Sequence, residues 1–148
     1  MEYSPETGRA RCARLWHYEC VVTDRHTFEQ LLHELHAARL DADLERLCAL
    51  FAADAYLRIV GTSDGKPIAI VARGIEQIRT WLGMLVKTFR LTNYELLSTV
   101  IDAERAAVHW RVHICSKITG TIVPTELTDL VTTRGARIVT HTELFVAG

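Results

Sequence analysis

The side chains able to do chemistry are histidines, cysteines, carboxylates and arginines, and their spacing narrows the options. Four cysteines occur, Cys12, Cys20, Cys48 and Cys115. No pair has CxxC spacing, so neither a zinc ribbon nor a thioredoxin-type site is expected. Thiols dispersed in this way fit a reducing compartment, and a cytoplasmic location is expected. His33 and His36 stand at i,i+3, a spacing that can share a metal ion. No third ligand accompanies them, so a solvated helix face is expected, with neither metal nor cofactor. His109, Arg111 and His113 alternate along a strand-like run and form a polar row. Arg9, Arg11 and Arg14 lie close together, offering a solvated segment or a phosphate or partner contact. No Ser-His-Asp order, P-loop or GxGxxG occurs, which leaves serine hydrolase, nucleotide and dinucleotide chemistry without support.

The composition sets the frame for these groups. The chain has 148 residues, 17 Lys+Arg against 18 Asp+Glu, and 49% apolar residues. These are globular values in a length that suits one folded unit. The near-zero charge argues against nucleic acid as a partner. No apolar run of about 18 residues suggests a membrane span. Met1 to Gly8 lacks the basic and apolar regions of a signal peptide. Residues 1–24 are expected to form an N-terminal extension, with β-prone Trp16 to Val22 inside it, and residues 25–148 the domain.

Periodicity then places the elements. Phe28, Leu31, Leu32, Leu35 and Ala38 recur at helical spacing from Asp24 to Arg39. Thr27 is the expected N-cap, with Gln30 three residues on. Arg39 falls on the same apolar stripe, where snorkelling to solvent is expected. Asp41 or Asp43 caps a short second helix that should end near Ala53. A hairpin follows, with strands Tyr56 to Val60 and Pro67 to Ala72 about an Asp64-Gly65 turn. A third helix begins at Gly74, its apolar face carried by Ile75, Ile78, Trp81, Leu82, Leu85, Val86 and Phe89. Strands are expected at Tyr94 to Ile101, Ala106 to Ile118, Thr121 to Thr133 and Ile138 to Val146. Helices early and antiparallel strands late mean α+β.

That order, with three residue runs, resembles the nuclear transport factor 2-like superfamily, and within it the ketosteroid isomerase and SnoaL-like polyketide cyclase families. The runs are LERLCALFAADA at 44–55, GIEQIRTW at 74–81, and TDLV at 128–131 followed by GARIV at 135–139. The resemblance implies a cystatin-like cone with three N-terminal helices packed on a highly curved, mostly antiparallel sheet. It implies a pocket between the layers, walled by Leu35, Phe51, Ile59, Trp81 and Val86 and by Trp110, Val112, Ile114, Leu127 and Phe145. Arg39 would stand at its rim. It also implies a homodimer through the outer sheet face, where His109, Arg111 and His113 lie.

The isomerase site needs a carboxylate base, a tyrosine and a protonated acid. Carried over by position, the base falls on Ile59 and the tyrosine on Leu35, neither of which can serve. The acid falls on Asp129, where the residue type agrees. Period-two alternation puts Thr125, Leu127 and Val131 on the same face, and matching to the family without a gap through Gly120 implies that Trp110, Val112, Ile114 and Ser116 face inward on the strand before. Cys115 and Lys117 then face outward. On the last strand the resemblance places the family's pocket positions on His141, Glu143 and Phe145. Asp129 and His141 should meet across the turn, directly opposed or one residue out of step. If ionised, Asp129 would hold one imidazole N–H and leave the other nitrogen free as acid or base. Glu143 is a further acid or a solvated strand residue.

The expected function is metal-free acid/base catalysis, of isomerase, cyclase or dehydratase type, on a small hydrophobic carbonyl compound, with Asp129 and His141 as the working pair. A non-catalytic binding or accessory module is the alternative, given Ile59 and Leu35. A purely structural dimerisation domain would show a packed interior instead of a cavity.

Overall fold

The computed structural model describes residues 23–148. The expectations for Met1 to Gly8, the arginines of residues 9–14, Cys12, Cys20 and the strand at Trp16 to Val22 lie outside the described residues.

The chain runs through α1 (Arg25–Leu40), α2 (Leu44–Ala49), β1 (Phe51–Ser63), β2 (Lys66–Arg73), α3 (Gly74–Thr88), β3 (Phe89–Asp102), β4 (Arg105–Ser116), β5 (Ile122–Arg134) and β6 (Arg137–Ala147). Only two helices precede the sheet, one long and one short, which corrects the count of three at the N-terminus. The third lies between the hairpin and β3. The six strands form one curved sheet in the order β2-β1-β6-β5-β4-β3. Every neighbouring pair is antiparallel except β1 with β6, which is parallel.

Capping chemistry explains where the helices begin. Asp24, not Thr27, caps α1: its carboxylate accepts from the Thr27 amide at 2.9 Å and from the Thr27 hydroxyl at 2.8 Å. A carboxylate outcompetes a hydroxyl as acceptor at the positive end of a helix. Asp43 caps α2 by accepting from the Arg46 amide, and Ala42 takes a positive φ of 53° in the break. The second helix stops at Ala49, short of Ala53, because Phe51 pairs with Ile138 of β6. The Ile138 amide donates to the Leu50 carbonyl at 2.8 Å. A sheet ladder thus overrides the helix propensity of the alanines. In the same way β1 runs to Ser63, and the turn contracts to Asp64 and Gly65, both at positive φ.

The sheet's inner face and the helices share one apolar core, which includes Phe28, Leu35, Leu47, Leu57, Ile78, Leu82 and Ile138. Gly61 on β1 pairs with Phe145 of β6, and a Cβ there would lie 2.3 Å from the Phe145 carbonyl oxygen. No helix among the described residues is long and apolar enough to cross a membrane. Cys48 and Cys115 are free thiols. Cys115 is buried although its row faces outward, and its sulfur lies 3.7 Å from the Thr92 hydroxyl of β3.

Candidate active site

Alternation along β5 and β6 turns one row of each strand inward. On β5 the row runs Thr125, Leu127, Asp129 and Val131, all buried. On β6 it includes His141, Glu143 and Phe145, the first two buried to within 3%. The register sets Asp129 opposite Glu143, and Val131 opposite His141. Asp129 and His141 are therefore diagonal neighbours, two residues out of step, which keeps them on one face. Neither direct opposition nor a one-residue slip occurs. The His141 Nε2 lies 2.9 Å from Asp129 Oδ1.

Asp129 is 1% exposed and accepts two further bonds at Oδ2. One comes from the Trp110 indole N–H at 2.8 Å and one from His36 Nε2 at 2.8 Å. Burial by itself would raise the carboxyl's pKa, but the charges and N–H donors of His141 and His36 outweigh it and hold it well below the usual carboxylate range. Asp129 is thus an ionised acceptor, and the protonated-acid role implied by the resemblance does not fit it. With Nε2–H of His141 given to Asp129, the lone pair of the neutral ring is at Nδ1. That nitrogen is the one buried side-chain polar atom among the described residues that lacks a hydrogen-bond partner. Phe51 stacks against the His141 ring, with centroids 6.1 Å apart.

Three residues for which solvent was an expected surrounding are inside. Arg39 does not snorkel out: its Nη1 donates to Glu143 Oε2 at 2.6 Å, and its guanidinium lies 5.9 Å from the Trp110 ring centroid. Glu143 is buried, not solvated. Burial would lower the arginine's pKa, but the Glu143 charge and hydrogen bond raise it above its ordinary value. His36 is likewise buried and not part of a solvated face. It stands at i+4 from Leu32, within about 40° of that leucine around the helix, which is the signal that could have placed it inside.

The cavity between the layers has a volume of about 340 Å³. Arg39, Ile59, Val86, Ile114, Leu127 and Phe145 line it. So do Glu143 and the apolar Ile70, Leu85, Phe89 and Leu91. Leu35, Phe51, Trp81, Trp110 and Val112 do not. The cavity lies under the C-terminal half of α3, whereas Leu35, Phe51, Trp110 and Val112 belong to the packed core. Trp110 serves there as a donor to Asp129, and Trp81 packs half-buried against the core. Asp129 and His141 are also absent from the wall. Each is the next inward residue beyond a lining one, Leu127 on β5 and Glu143 on β6.

One acceptor atom from each of Asp129, His141 and Glu143 lies within 4.8 Å of the others, a grouping that could hold a cation. Both carboxylates already accept from N–H donors, and the Arg39 charge borders the group. Among the described residues, the group forms a hydrogen-bond network in which only His141 Nδ1 is left without a partner. His33 contributes nothing to it and is exposed.

The curved sheet, the helices laid on it and a pocket between the two layers define the nuclear transport factor 2-like architecture. Residues 29–141 match the SnoaL-like domain, and the chain belongs to that family. The fold is similar to a nuclear transport factor 2-like protein from Burkholderia xenovorans, at TM-score 0.69 and 20% identity over 83% of this chain and 92% of that one. A protein from Catenulispora acidiphila with a ketosteroid isomerase-like fold, in complex with trimethylamine, aligns at TM-score 0.63 and 19% identity over 77% and 83%. An M. tuberculosis epoxide hydrolase of the LEH-like type aligns at TM-score 0.63 and 12% identity over 81% and 83%. At these identities the likeness is one of fold. No curated protein matches the sequence.

Proposed function

We propose that this protein is an acid/base catalyst of the isomerase, cyclase or dehydratase type, acting on a small hydrophobic carbonyl compound. One observation carries the reading: an apolar cavity of about 340 Å³ ends on the buried Arg39–Glu143 pair. Glu143 is the β6 partner of Ile59 on β1. The carboxylate missing at Ile59 is thus supplied from the adjacent strand, facing the same cavity. Likewise Leu35 offers no donor, but Arg39 on the same helix does.

In this reading the substrate carbonyl oxygen accepts from Arg39, which has five donor hydrogens and commits only part of them to Glu143. Glu143 takes the proton from the carbon beside the carbonyl, and Arg39 carries the negative charge that develops on oxygen. Asp129 holds the His141 ring behind the cavity wall, and Glu143 returns the proton it has taken to the substrate. The apolar wall keeps water from the enolate. The outer sheet face, where Val100, Ile122, Leu130, Leu144 and Val146 are exposed, pairs with a second copy.

The test joins binding with proton exchange. Phenolic, steroid-like and polyketide-like carbonyl ligands are screened by thermal shift, since binding the folded state raises the melting temperature. Any ligand found is then incubated in D2O and followed by NMR. Deuterium entering beside the carbonyl with wild type, but not with Glu143→Gln, supports catalysis. Stabilisation without exchange makes the protein a binding module, the reading that Ile59 favours. Absence of any stabilising ligand sinks both.

A further inference from the structure

Asp129 has a second dependant, on the side away from the cavity. His36 Nδ1 lies 2.7 Å from the Tyr94 hydroxyl. His36 Nε2 lies 2.8 Å from Asp129. With Nε2–H donated to the carboxylate, Nδ1 of the neutral ring is an acceptor, and the phenol is its donor. A hydroxyl on a base, with the base oriented by a carboxylate, is the arrangement that activates a nucleophile.

Tyr94 reaches this place through a bulge. The β3–β4 register shifts between Thr92 and Glu95, and Asn93 within the shift has φ of 57°. The extra residue turns the Tyr94 ring towards α1. Tyr94 and His36 line a cleft of about 360 Å³ between α1 and the β3–β4 edge. Leu32, Leu96 and Val108 form its apolar side, and His33 and Thr99 add polar groups. Burial, and then the charge of Asp129, raise the pKa of the phenol above its ordinary value. A phenol so held keeps its proton at neutral pH, so it attacks only when a base removes that proton in the same step.

We propose that Tyr94, His36 and Asp129 form a second reactive site, opening on this cleft, that accepts an acyl group from a small ester. The Tyr94 oxygen bonds to the acyl carbon as its proton passes to His36 Nδ1. The carbon–alkoxy bond then breaks, and the leaving oxygen takes that proton from His36. The imidazolium formed in between is held against the Asp129 carboxylate. Water attacking the aryl ester, with His36 again as base, returns the phenol and releases the acid. The site shares Asp129 with the Arg39–Glu143 cavity but does not depend on what that cavity binds.

The experiment treats the full chain with p-nitrophenyl acetate and follows nitrophenolate release, then locates acetyl groups by peptide mass spectrometry. Tyr94 should be acetylated at least about tenfold faster than Tyr56, a half-buried tyrosine on β1 lying under Arg73. Release should fall by about 10²-fold in His36→Gln and as far in Tyr94→Phe, with the melting temperature of Tyr94→Phe close to wild type. Acetylation of Tyr94 no faster than of Tyr56, or label confined to Lys66, Lys87 and Lys117, overturns the proposal. That comparison is made on wild type, so it stands even if His36→Gln does not fold.

Discussion

The Nε2 of His36 on the first helix lies 2.8 Å from Oδ2 of Asp129 on the fifth strand, with both side chains buried. This bond ties the helical layer to the sheet at the point where the inward rows become polar. It also explains why Asp129 must be ionised: three N–H donors converge on two oxygens, and a protonated acid would face one of them with its own hydrogen.

Asp129→Asn should therefore be strongly destabilising. The amide has one acceptor oxygen where the carboxylate has two, and its NH2 would confront a donor. The loss is expected at about 3 kcal/mol or more, in the range for breaking a buried, charge-assisted network. Urea denaturation of wild type and variant, compared by midpoint at equal slope, measures it.

The same carboxylate sets an acid limit. Its folded pKa lies below the unfolded value of about 4. The stabilisation is thus fully present above pH 4 and drains away as pH falls towards the folded value, because only the unfolded chain takes up the proton. Between about pH 4 and pH 2, wild-type stability should decline more steeply than that of Asp129→Asn. Parallel curves would show that Asp129 is not the group responsible.

Arg39 and Glu143 separate stability from function. Arg39→Met leaves a buried carboxylate unpaired and should cost about 3–5 kcal/mol. The double variant Arg39→Met with Glu143→Leu removes both charges and should recover most of that loss. It should nevertheless abolish ligand-dependent proton exchange. A double variant destabilised by the sum of the two single-variant losses would mean the pair is not coupled.

Gly61→Ala tests the cavity wall from behind. The added methyl meets the Phe145 carbonyl and ring, so β6 must shift where Phe145 lines the cavity. A loss of about 1–3 kcal/mol is expected, with weakened binding of any ligand that stabilises wild type. A melting temperature equal to wild type would contradict the close approach.

Much of the architecture was legible in the chain. The 3.6-residue recurrence of Phe28, Leu31, Leu32 and Leu35, the Asp64-Gly65 turn and the alternation through Thr125, Leu127 and Asp129 each report a local geometry that neighbours in sequence impose. They sufficed for the order of elements and for the inward face of the late strands. The resemblance put Asp129 and His141 on one face, and the two-residue offset keeps them there, because strand alternation survives any even offset.

What the chain could not disclose is which buried groups meet. Arg39 and His36 looked like solvated helix residues because propensity and dipole favour that, and no local pattern records a carboxylate about a hundred residues later. The bulge at Asn93, which brings Tyr94 to His36, depends on a register settled between two strands. The length and hydrophobic pattern of the chain determined the layers. Only the β1–β6 register set Glu143 beside Ile59, and only the packing of α1 on the sheet decided that Asp129 would be ionised and that Arg39 would stay inside, since a buried charge persists only where the fold brings its partner.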